Sequence, residues 1–286
     1  MINFFRSLFS FSKKKELYFV SELSELNTLD SELEKNTIFG LDSEFDWRST
    51  YLPKLSLIQI SLIDKLFIID CLKLNPEKIL KKYLESNKVL KIFHSSRSDT
   101  TVLSKCLNIQ TKNIFDIQIG DKLLSNGEIK SYGKLVYNFL GINLKKSETN
   151  SNWLKRPLTE NQLNYAFDDV RHLIDIFKIQ KKKLANKNLF SMAYKLSNKE
   201  ASLGNKSLIE LRLKKQEKKL SKKNREIFIW REENAEAINI PPAFIFKDKY
   251  LKQLSDIKPN DLNAKKKVMK IIGDSSLTKK FISTFL

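Results

Sequence analysis

The chain reads as an α/β protein, a mixed sheet flanked by helices, followed by a small all-α module. Three observations carry that reading. Over roughly the first two thirds of the sequence, short β-branched and aromatic runs of strand length alternate with segments of helical spacing. The 286 residues, 41% of them hydrophobic, supply enough apolar material for two domains. Charge is also divided unequally: residues 1–177 hold 25 Lys and Arg against 22 Asp and Glu, whereas 178–286 hold 27 against 11. A cationic field of that size favours polyanions, nucleic acid foremost, and weakens with added salt. Compositional lysine bias is the competing account.

The first fifteen residues, MINFFRSLFSFSKKK, are expected to be an extension. Arg6 and several serines interrupt the apolar part and no small-residue cleavage site follows, which predicts neither a signal peptide nor a spanning helix. No stable membrane association is expected; a membrane-surface or targeting role for this aromatic and basic stretch is the alternative. Residues 20–35 place leucines at helical spacing behind Ser21 and Ser24, which predicts a helix with a serine cap. The run 37–41, Thr-Ile-Phe-Gly-Leu, predicts the first buried strand. Alternation over 55–60 predicts a second strand and residues 63–70 a third. The tight turn at Asp64-Lys65 makes these two antiparallel neighbours. A helix from near Pro76, a strand over 88–93 and a helix from Ser96 to Cys106 complete the alternating pattern. Cys71 and Cys106 lack both CxxC spacing and partners for a disulfide framework, which predicts a reducing, cytoplasmic setting without structural zinc.

Chemistry enters where the first strand ends. Asp42 and Glu44 are two residues apart, and alternate residues of one strand share a face. Ionised acids inside or beside a sheet are costly unless a positive charge compensates, and a same-face carboxylate pair suits a hard divalent cation such as Mg2+ or Mn2+. Acids at a strand end also occur without a ligand, so this pair alone is a weak signal. Asp99 follows a strand and opens a helix, near the carboxyl end of the sheet where α/β proteins bind ligands. Favourable placement against the helix dipole is the other explanation for Asp99. His94 is better read as a hydrogen-bonded structural residue than as a ligand. In residues 158–177 Thr159 and Gln162 form a capping-box pattern, and Leu163, Ala166, Val170, Leu173, Ile174 and Phe177 make an apolar stripe, which predicts one helix. Tyr165 and Asp169, four apart, project from the same side of that helix. Asp168 competes with Asp169 for the ligand role, and spacing prefers Asp169 only mildly.

Asp42-Ser-Glu44, His94 with Asp99 five residues on, FDIQI at 115–119 and Tyr165 with Asp169 together resemble the ribonuclease D family of the DEDD exonucleases, in the variant with tyrosine in the last motif. TYLPKL at 50–55, Gln59-Ile60, and Gly133-Lys134-Leu135 ahead of Leu144 extend the match, over roughly residues 15–200. The resemblance implies a ribonuclease H-like mixed five-stranded sheet and two-metal 3′-to-5′ exonuclease chemistry on RNA that releases nucleoside 5′-monophosphates. Carried over by position, Asp42, Glu44, Asp99 and Asp169 would hold two Mg2+ or Mn2+ ions, and Tyr165 would position the attacking water. Paired dications about 4 Å apart would also relieve the mutual repulsion of four crowded carboxylates. A phenol with a pKa near 10 is a poor base at neutral pH, so orienting water suits it better.

Lysine-rich residues 178–222, with Leu208, Leu211 and Leu220 at helical spacing, predict connecting helices. REIFIWREE at 225–233, with Pro241-Pro242, Phe246 and Leu251, resembles the HRDC domain that follows ribonuclease D catalytic domains, and one copy fits. Phe228 and Trp230 lie in an apolar stripe and are expected in its core rather than stacked on bases. The expected organisation is an extension over 1–15, an exonuclease domain over 16–200, and a helical linker with one HRDC-like domain over 201–286. RNA with a single-stranded 3′ end is the expected partner. The family resemblance suggests tRNA precursors and other stable RNAs. A DNA exonuclease of the same superfamily and a non-catalytic nucleic-acid-binding protein are the alternatives.

Overall fold

The structure is a computed structural model that describes residues 15–144, 148–216 and 220–286. The expected amino-terminal extension falls, but for Lys15, outside the described residues. Two compact units form: one takes in the described residues up to Asp46 together with Leu55–Asn205, the other Trp47–Lys54 with Lys206–Leu286.

The first unit is built on strands β1 (Glu16–Val20), β2 (Ile38–Asp46), β3 (Lys54–Ser61), β4 (Lys65–Asp70), β5 (Leu90–Phe93) and β6 (Ile114–Asp116). Helix α1 (Leu23–Glu34) precedes β2. Helices α2 (Glu77–Leu84) and α3 (Arg97–Leu107) bracket β5, and α4 (Ile117–Leu124), α5 (Tyr132–Leu140), α6 (Glu160–Arg171), α7 (Leu173–Asn186) and α8 (Phe190–Gly204) follow β6. The sheet order is β1-β4-β3-β2-β5-β6. Strands β3 and β4 are antiparallel, as the short turn requires, whereas β1 runs parallel to β4 and β5 parallel to both β2 and β6. The expected mixed, helix-flanked sheet is present with six strands, one more than expected. Neither β1 nor β6 is among the four strands read from the sequence: β1 has five residues, paired with β4 at one edge, and β6 three, paired with β5 at the other. Runs so short carry too little periodicity to stand out.

Alternation along the strands sends side chains into two cores. Phe39 and Leu41 pack with Leu26, Leu29 and Leu33 of α1, Leu80 and Leu84 of α2 and Val102 of α3. On the other face Leu57, Ile68, Ile92 and Phe115 meet Ala166, Val170, Leu173 and Phe177. Two local expectations change. The amino cap of α1 is Glu22, not a serine, and Glu25 reaches back to accept the Ser21 and Glu22 amides at 2.7 and 3.0 Å. The helix expected over 158–177 is two, because at His172 the amide donates to the Tyr132 hydroxyl (3.1 Å) and the backbone leaves the helical path. The apolar stripe continues through the break, since both pieces pack on the same core.

The second unit is helical: α9 (Leu208–Gln216), α10 (Lys222–Ala237), α11 (Pro242–Ile245), α12 (Leu251–Ser255), α13 (Ala264–Ile272) and α14 (Ser275–Phe285). Phe228 and Trp230 are in its core, Trp230 meeting Phe281 edge-on at 5.2 Å. Tyr51 is buried in the same core, with the Arg212 guanidinium 4.5 Å from its ring. Among the described residues no helix is long and apolar enough to cross a membrane.

Candidate active site

Strand β2 delivers Asp42 and Glu44 to the face covered by α6 and α7. Gly40 makes that approach possible, because a side chain there would collide with Ser61 and Leu173. Helix α6 is fixed in phase by its capping box, with Thr159 Oγ1 accepting the Gln162 amide at 3.2 Å and Gln162 Oε1 accepting the Thr159 amide at 2.9 Å. Its phase aims Asp169 at the β2 acids. Asp42, Glu44 and Asp169 each offer a carboxylate oxygen, and the three oxygens lie within 4.8 Å of one another. Asp168 instead pairs with Arg171 at 2.8 Å, which separates the two candidates that spacing had left close.

Asp99, in the first turn of α3, is buried and its carboxylate accepts the Ser43 hydroxyl at 2.6 Å. It is outside the trio of converging oxygens but close enough to act on it electrostatically. Burial, then repulsion from Asp99, Asp169 and Glu44, pushes the Asp42 carboxyl well above the usual range. Burial, with Asp169 and Asp99, raises Glu44 to about 9. Asp99 and Asp169 are raised by burial to about 7, even though the Ser43 hydroxyl and the Tyr165 hydroxyl respectively favour their ionised forms. Among the described residues, none of the four acids has a lysine, arginine or histidine ion-pair partner. Three acids with oxygens at ligating separation, a fourth beside them and, among the described residues, no cationic ion-pair partner fit divalent metal, because a dication removes the electrostatic penalty.

Tyr165 sits one turn from Asp169, with its hydroxyl 3.5 Å from Thr149 Oγ1 and its ring 5.9 Å from that of Trp153. Burial and the charge of Asp169 raise its pKa, so it remains a neutral phenol at physiological pH. Asp42, Asp169 and Tyr165 line a cavity of about 180 Å³ together with Leu41, His94, Tyr132 and Leu173. His94 behaves as the sequence suggested. Its Nε2 lies 3.1 Å from the Lys130 carbonyl and 3.3 Å from the Gln118 amide, and burial lowers its pKa.

Three contributors escaped sequence reasoning. Ser43, between the two β2 acids, holds Asp99. Tyr132 walls the cavity while accepting the His172 amide. Asp116 accepts the Ser95 and Ser96 amides at 3.0 and 2.7 Å and so shapes the loop that leads to Asp99. Ser43 and Asp116 lay inside quoted motifs, Asp42-Ser-Glu44 and FDIQI, whereas Tyr132 carried no signal.

A 3′-5′ exonuclease family model matches residues 17–185, more than half of the chain, and an HRDC domain model matches 224–278. The chain is similar to ribonuclease D of Desulfotalea psychrophila, 34% identical over 254 residues that cover 86% of this chain and 68% of that protein. It is also similar to ribonuclease D of Xanthomonas oryzae, at 30% identity over 79% of this chain and 64% of the relative. The chain thus spans about two thirds of the length of these relatives. Among solved structures, Escherichia coli RNase D superposes with a TM-score of 0.82 at 20% identity, over 95% of this chain and 75% of that one, which is agreement in fold. The motif order, the sheet and the acid cluster thereby meet in one conclusion: the chain belongs to the ribonuclease D family of 3′-5′ exonucleases and carries an HRDC domain after its exonuclease domain.

Proposed function

We propose that this chain is a metal-dependent 3′-to-5′ exoribonuclease that releases nucleoside 5′-monophosphates. Asp42, Glu44, Asp99 and Asp169 hold two divalent cations, Mg2+ or Mn2+, in this proposal. The single observation that carries it is the convergence of Asp42 and Glu44 with Asp169, more than 120 residues further on, with no cationic ion-pair partner among the described residues. Bound there, the cations would supply charge neutralisation and Lewis acidity for in-line displacement at the terminal phosphodiester. The Tyr165 hydroxyl favours the ionised form of Asp169, one turn along α6, so the phenol oxygen is near the acids and able to orient a water as a hydrogen-bond partner rather than as a base.

We assign residues 16–200 to the exonuclease domain and 201–286 to the linker and single HRDC-like domain. The lysine excess after residue 178 suits the latter for phosphate contacts that position RNA without reading sequence. RNAs with a single-stranded 3′ end, tRNA precursors among them, are the proposed substrates, and the cytoplasm the proposed location. The test is degradation of RNA labelled at its 5′ end, with Mg2+, Mn2+ or chelator, beside DNA of the same sequence. Stepwise shortening from the 3′ end that needs metal and favours RNA is expected. Cleavage that survives chelation would overturn the metal assignment, and equal turnover of DNA would remove the case for a ribonuclease.

A further inference from the structure

Just ahead of α6 the chain makes a non-helical excursion, residues 148–158, that ends at the Thr159 cap. Arg156 and the Trp153 carbonyl tie it to the sheet. The Arg156 guanidinium grips Asp70 with both arms, Nε to Oδ2 at 2.8 Å and Nη2 to Oδ1 at 2.7 Å. Asp70 is fully buried at the end of β4. The same guanidinium donates to the Trp153 carbonyl at 2.7 Å and to Ser56 Oγ at 3.2 Å, and Ser56 Oγ itself donates to the Trp153 carbonyl at 2.5 Å. Trp153 is thereby held from two sides at its backbone. Trp153 is buried with its ring against Tyr165, and Thr149 of the same excursion is the hydroxyl neighbour of the Tyr165 oxygen. Gln162, one turn before Tyr165, adds a bond from Nε2 to Ser151 Oγ at 2.8 Å.

We infer that Arg156 is a positioning residue for Tyr165: by clamping residues 149–156 onto Ser56 and Asp70, it sets the wall of Trp153 and Thr149 that fixes where the phenol oxygen points. The inference rests on the assignment of Tyr165 as the group that orients water. An ion pair with one partner fully buried is by itself weak evidence for stability. Planarity is the reason for arginine at this position. Its fork satisfies both Asp70 oxygens, a hydroxyl and a carbonyl in one rigid arrangement, whereas lysine offers a single point of charge on a flexible stem.

The test is a double-mutant cycle in single-turnover RNA degradation at saturating Mg2+, with thermal melting of every variant. Arg156→Lys is expected to lower kcat by about 10- to 100-fold, with KM within about twofold, because a misdirected group harms the reacting geometry more than binding. In a Tyr165→Phe background the same substitution should cost less than about twofold, since the oxygen it positions is gone. Ser56→Ala, which removes only a hydroxyl from the clamp, should act in the same direction and serves if Arg156→Lys fails to fold. Full additivity of the two substitutions would overturn the inference, because Arg156 would then act through something other than Tyr165. So would a folded Arg156→Lys protein with normal kcat. Should Tyr165→Phe alone leave kcat unchanged, the fault lies with the role given to Tyr165, and the clamp falls with it.

Discussion

Asp42 and Glu44 alternate with Ser43 on β2, and that two-residue period assigns the acids to one side of the strand and leaves the serine to hold Asp99. Asp42→Asn keeps the shape and removes a charge from the cage. It should abolish nucleotide release while RNA binding changes little, as read by single-turnover assay and by fluorescence anisotropy; normal digestion by this variant would sink the metal assignment. The raised carboxyls also predict an unusual pH response. With Glu44 near 9 and Asp99 and Asp169 near 7, the metal-free folded state retains protons that the unfolded chain, with ordinary carboxyls near pKa 4, has released. These groups therefore make the metal-free protein less stable as pH rises from about 4 through 7 and on to 9. Cation binding displaces those protons, so Mg2+ should raise the melting temperature more at pH 8 than at pH 6, with proton release detectable by calorimetry in buffers of different ionisation heat. An equal shift at both values would show that the acids are already ionised.

The carboxyl end of α2 is held by a side chain from outside the helix. Lys91, fully buried on β5, donates to the carbonyls of Tyr83, Ser86 and Val89 at 3.3, 2.8 and 2.9 Å, and so satisfies the carboxyl end of α2 and the turn after it. Lys91→Met fills similar volume but leaves the Ser86 carbonyl without its donor, while the Tyr83 and Val89 carbonyls keep the Ser86 amide and the Asn113 side-chain amide. A loss of about 1–3 kcal/mol in denaturant-derived stability is expected. A loss under about 1 kcal/mol would mean that water replaces the ammonium. Sequence periodicity gave no hint of this arrangement, since it depends on a strand lysine meeting a helix end. Nor could it reveal the break at His172, where Tyr132, forty residues earlier, captures the amide that would have continued the helix.

Charge is a property of the entire chain, and here it is lopsided. The excess of 27 basic over 11 acidic residues from position 178 onward predicts RNA binding that weakens steeply with salt. If about four phosphates of a single strand are neutralised, the logarithmic slope is about −2.8, and affinity falls by about 50-fold between about 50 and 200 mM salt. An affinity that hardly responds to salt would place the lysine excess outside the RNA contact. Tyr51 and Leu52 show how far a short segment can depart from its neighbours in sequence. They lie between β2 and β3 of the exonuclease sheet, yet Tyr51 packs on Arg212 and the Leu52 amide donates to Asn239 at 2.9 Å, within the helical unit.

By itself the sequence determined what is local or cumulative: the same-face acid pair, the capping box that sets the phase of α6, the antiparallel β3-β4 turn, the burial of Phe228 and Trp230, and the uneven charge. Each follows from periodicity, from hydrogen-bonding capacity within a few residues, or from composition, and motif order added the family. Tertiary structure alone decided that Asp168 turns to Arg171, that Asp99 turns toward Ser43, that β1 joins the sheet edge, and that Arg156 reaches Asp70. Those outcomes depend on which atoms meet across dozens of residues, and the energies that select them, close packing and the satisfaction of buried polar groups, exist only once the chain has closed on itself.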